Sequence, residues 1–124
     1  MSLSQADRER FAPLFGWTGV RGNWLPPNDG LVHRRMHGSL RCWELPDFCD
    51  TRGQYFGPMV VALTDDGWQF DTPCNNLSGK YLWTNDGWCP EQKQYRPEKT
   101  IEITDEDPGL CTLLAYEAMM KGKI

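Results

Sequence analysis

The sequence predicts one α+β domain over residues 1–124, with two or three helices covering an antiparallel sheet of three to five strands. Three observations carry that prediction. The first is size and balance: 124 residues, 40% apolar and 24% charged, suffice for a single core and are too polar for a membrane protein. The second lies near the C-terminus, where Asp107 is a fitting N-cap, Pro108 a fitting first helical residue and Gly122 a fitting stop. Leu110, Leu113, Leu114, Tyr116, Glu117 and Met120 fill the helix between those signals. The third is alternation: residues 100–104 read Thr-Ile-Glu-Ile-Thr, and shorter β-like runs occupy 68–71 and 80–84. These three strands should form a meander, with Leu113 and Leu114 of the last helix buried on it.

The remaining elements follow in chain order. Ser4 and Asp7 form a helix-start pattern, and Phe11, Leu14 and Phe15 follow at helical spacing until Gly16. Pro13 ends the regular part early. Residues 16–30, with Gly19, Gly22, Pro26, Pro27 and Gly30, read as a loop pinned by Trp17 and Trp24. Residues 31–45 read as extended, with Val32, Arg34 and Met36 on one face, and Pro46 stops them. A connection over 47–53 follows.

Residues 54–66 admit two readings. Tyr55, Phe56, Met59, Val60 and Leu63 share a helical face, and Gly67 suits a helix C-terminus. Gly57-Pro58 opposes an early helix start, and residues 60–64 would also make a strand. Helix is the favoured reading, regular only from Pro58 onward. Residues 72–79 form a loop, and Asn85-Asp86-Gly87 turns the chain into Trp88. Thr64-Asp65-Asp66-Gly67-Trp68 is echoed twenty residues later by Thr84-Asn85-Asp86-Gly87-Trp88. Two copies fall short of a repeat architecture, so each reads as a turn followed by a core aromatic.

Charge narrows the function classes. The net charge of −4 argues against a dedicated nucleic-acid binder, whose affinity comes from neutralising phosphates. The charge is also split. Residues 1–43 hold six arginines (Arg8, Arg10, Arg21, Arg34, Arg35, Arg41) against three carboxylates, a balance of +3; the remainder balances at −7. The N-terminus lacks the apolar run of a secretory signal and no long apolar stretch exists, so a cytoplasmic location without a membrane partner is expected. Reduced thiols are then expected for the five cysteines, none of which has C-x-x-C spacing.

The chemistry-bearing candidates are few. His33, His37, Cys42 and Cys49 supply the imidazole and thiolate types that zinc prefers, although H-x3-H followed by C-x6-C inverts the common finger order. Cys42, beside Arg41, is the candidate nucleophile, with no signature placing a histidine against it. Asp65-Asp66 reads as turn chemistry and Asp105-Glu106-Asp107 as charge at a helix N-terminus. No catalytic residue and no cofactor are assigned on this basis. Tryptophan is the compositional outlier, with six in the chain, and Trp24 beside Pro26-Pro27 is the best exposed anchor.

Four short motifs carry a resemblance. Leu14-Phe15-Gly16-Trp17 follows the first helix, Leu45-Pro46-Asp47-Phe48 precedes the central segment, Gly67-Trp68-Gln69-Phe70 ends it, and Pro108-Gly109-Leu110-Cys111 opens the last helix. In this order they resemble the small phage and prophage proteins of the ABA-sandwich kind; Gly57-Pro58 departs from that pattern. The resemblance implies helices over a short antiparallel sheet and a phage or mobile-element origin, with no catalytic residues.

The resulting expectation is a non-catalytic protein-interaction module whose partner is another protein. Its docking surface is expected at Trp24, His33, Arg35, His37 and Arg41, because arginine with tryptophan is a frequent hot-spot pairing. The alternative is a small zinc- or thiol-dependent enzyme centred on His33, His37, Cys42 and Cys49.

Overall fold

Ser4 opens the first helix as its pattern requires: its hydroxyl accepts the Asp7 N–H at 3.2 Å and starts α1 (Gln5–Phe11). The computed structural model describes residues 3–20, 23–25, 45–89, 92–96 and 100–122. With Pro13 in place the chain tightens to one 3-10 turn over Ala12–Phe15, and Gly16 closes it. Phe11 and Phe15 point inward, 1% and 3% exposed.

The expected loop over 16–30 is corrected in part. Thr18–Val20 (β1) and Asn23–Leu25 (β2) pair antiparallel, with Gly19 opposite Trp24. Strands of three residues are too short for alternation to show in sequence. Gly19 has no side chain to compete with the Trp24 indole, whose ring lies 3.5 Å from where a Cβ would stand. The expected strand over 31–45 lies, apart from buried Leu45, outside the described residues.

The ambiguous segment is a helix, α2 (Phe56–Asp65), and it begins two residues before Pro58. The first-turn N–H groups of a helix need no intrahelical partner, so proline there removes nothing and does not delay the start. Met59 and Leu63 are fully buried. Gly67, at φ +89°, ends the helix; its N–H reaches Thr64 O and that of Trp68 reaches Leu63 O. Trp68 is therefore part of the helix stop, and the next strand starts one residue later than expected.

The meander is as expected: β3 (Gln69–Asp71), β4 (Tyr81–Asn85) and Ile101–Asp105 lie antiparallel, the last in order beside β4. A two-stranded hairpin, β5 (Trp88–Cys89) with β6 (Gln94–Tyr95), fills the connection, so Ile101–Asp105 is β7. Register puts Phe70, Trp83 and Ile103 in one row. The opposite face carries Gln69, Thr84 and Glu102 in one row and Asp71, Leu82 and Thr104 in the next.

α3 (Pro108–Gly122) lies against that apolar row. The Trp83 Nε1–H donates to Thr112 Oγ1 at 2.8 Å, and the Cys111 thiol lies against Tyr81 O and Ile103 O. Leu113 is fully buried and Leu114 only half-buried; the residues that meet the strands through these bonds are Cys111 and Thr112. On its other side α3 packs on α2 and on an aromatic cluster. Phe15 stacks between Phe48 (4.7 Å) and Tyr116 (5.3 Å), with the Tyr55 ring edge-on to Phe15 and Phe48. Among the described residues no helix is long and apolar enough to cross a membrane.

Candidate functional site

Of the five residues expected to form a docking surface, Trp24 alone falls within the described residues; His33, Arg35, His37 and Arg41 lie outside them, as does Cys42. Trp24 is half-buried on β2 and packs against the core, so part of the indole stays accessible. Its partner across the strand pair is the reason for the burial: a glycine there leaves a slot that the indole fills.

Two of the six N-terminal arginines are bonded to other parts of the fold. The Arg8 guanidinium donates to Leu3 O (3.2 Å) and Leu45 O (3.1 Å), tying the first helix to Leu45. Arg10 grips Glu117 of α3 with two of its nitrogens, Nε to Oε2 at 3.1 Å and Nη2 to Oε1 at 2.6 Å. Lys121, one turn on, stands 3.6 Å from the same carboxylate. This is a bidentate pair around a carboxylate whose side chain is 10% exposed. The sequence hint was a glutamate among the apolar residues of the last helix.

The described chemistry gathers where residues 47–49 meet the start of α3. The Asp47 Oδ1 accepts the Cys49 thiol at 3.0 Å and, more weakly, the Cys49 N–H at 3.4 Å. The Asp107 Oδ1 accepts the N–H groups of Gly109 (2.8 Å) and Leu110 (3.1 Å), and Asp105 Oδ1 accepts that of Asp107. Gly109 is pressed against the Cys49 carbonyl so closely that a Cβ would stand 1.7 Å from its oxygen. Thus Asp105 and Asp107 of the acidic run serve the helix start. Asp66 likewise accepts the Trp68 Nε1–H within its turn.

Electrostatics at this junction oppose a thiolate. Burial first, then the hydrogen bond to Asp47 and the charges of Asp47 and Asp107, push the Cys49 thiol up to about 12. Burial raises Cys111 to about 11, with backbone N–H groups pulling partly back. Tyr116 is raised by burial alone, and Tyr55 by burial offset in part by the Trp17 Nε1–H that it accepts at 3.1 Å. A protonated thiol is a poor nucleophile and a poor ligand. No cluster of three potential metal ligands occurs among the described residues.

The described surface offers apolar side chains instead. Val61, Tyr95 and Leu77 are 59%, 61% and 107% exposed, and Phe70 and Ile101 flank the sheet at 38% and 37%. Leu77 is held out by a tied loop: the Asn76 amide donates to Thr72 O and Lys80 O, both at 2.8 Å, while its carbonyl accepts the Ser78 N–H. Sequence reading placed this loop but not the ties that hold it, because Asn76 resembles any turn asparagine until its two carbonyl partners are placed. No protein family, curated protein or solved structure matches this chain.

Proposed function

We propose that the chain is a non-catalytic protein-interaction module, of the phage or mobile-element origin that its motifs resemble, acting in the cytoplasm on another protein. Trp24, His33, Arg35, His37 and Arg41 supply its docking surface, with neither nucleic acid nor membrane as partner. One observation carries the reading: the buried reactive side chains of the described core, Cys49, Cys111 and Glu117, are each engaged in bonds that hold the fold. Arg8 and Arg10 are engaged in the same way, so the docking role falls to arginines further along the chain.

The zinc reading on His33, His37, Cys42 and Cys49 requires Cys49 to surrender the proton that it shares with Asp47, whereas the thiol reading rests on Cys42. Stoichiometric zinc in protein purified without a histidine tag would support the first, and a Cys42 reactive at neutral pH the second.

The docking reading is tested by affinity capture with the wild-type chain and Arg35→Ala side by side. It predicts a captured protein whose retention falls as salt rises, falls again with Arg35→Ala, and changes between about pH 5.5 and 8 as the histidines titrate. Capture indifferent to salt, pH and Arg35 would place the interface elsewhere.

A further inference from the structure

We draw no further inference here: the strongest candidate, the loop over residues 72–80 that the Asn76 amide ties at both shoulders with Leu77 fully exposed at its tip, is an apolar surface patch, and nothing in the structure shows what covers it.

Discussion

Gly109→Ala adds one methyl group at the tightest point of the structure. A Cβ there would stand 1.7 Å from the Cys49 carbonyl oxygen and 2.8 Å from its carbon, whereas real contacts begin near 3.0–3.4 Å. Relief requires one backbone to retreat by more than an ångström, and both are fixed. The Cys49 segment is tied to Asp47, and neighbouring Phe48, fully buried, stacks on Phe15. On the other side, moving the start of α3 stretches the two bonds of the Asp107 cap. Loss of the cap costs about 0.5–2 kcal/mol and overpacking about 1–3 kcal/mol, against about 1 kcal/mol gained because alanine favours helix. The net expectation is a loss of about 2 kcal/mol, which lowers Tm by roughly 8 °C in a domain of this size. Urea titration read by circular dichroism measures it, with Gly57→Ala as the control, since a Cβ at Gly57 meets nothing within 4 Å. Gly57→Ala should be neutral or stabilising by up to about 1 kcal/mol. A Gly109→Ala variant as stable as that control would refute the close approach.

Two further changes probe the core. Thr112→Val removes the acceptor of the Trp83 indole N–H, with both residues essentially inaccessible, and should cost about 1–3 kcal/mol, with Thr112→Ser recovering part of it; a wild-type urea midpoint for the valine variant would contradict the bond. The raised thiols predict an alkaline effect of defined sign. Cys49 and Cys111 sit at about 12 and about 11 in the folded chain, and near 8.5 when unfolded. The unfolded chain thus loses these protons first, so stability is level below about pH 8.5 and falls as pH rises toward about 12, by up to about 1.4 kcal/mol per pH unit for each thiol. Urea midpoints at about pH 8 and pH 10.5 should show this, and Cys49→Ala should flatten the decline; an equal slope in that variant would mean Cys49 ionises normally.

What could be read from sequence was whatever local signals decide. The Asp107-Pro108 start and Gly122 stop set α3, and alternation with turn residues set the order of the three-stranded meander. The start of α2 was misplaced because proline was weighed as a breaker without regard to its position in the first turn. The β1–β2 pair escaped because its pairing rests on a glycine accepting an indole, which only the register reveals. Gly109 looked like any residue of a helix start; its neighbour, Cys49, is sixty positions away in the chain. The Arg10–Glu117 pair is equally non-local, so two arginines counted in the basic excess of residues 1–43 belong to the fold. Residue type alone does not separate a guanidinium that binds a partner from one that binds its own helix.

The claim that the described reactive groups serve the fold is tested most directly by thiol labelling of the native chain near neutral pH, with each site mapped by mass spectrometry. Cys74 is exposed, whereas Cys49 and Cys111 are buried. The account predicts that Cys74 is alkylated at the rate of an unstructured peptide thiol, while Cys49 and Cys111 stay unmodified until denaturant is added. Rapid alkylation of Cys49 in the folded protein would contradict it and return that residue to the candidate metal ligands.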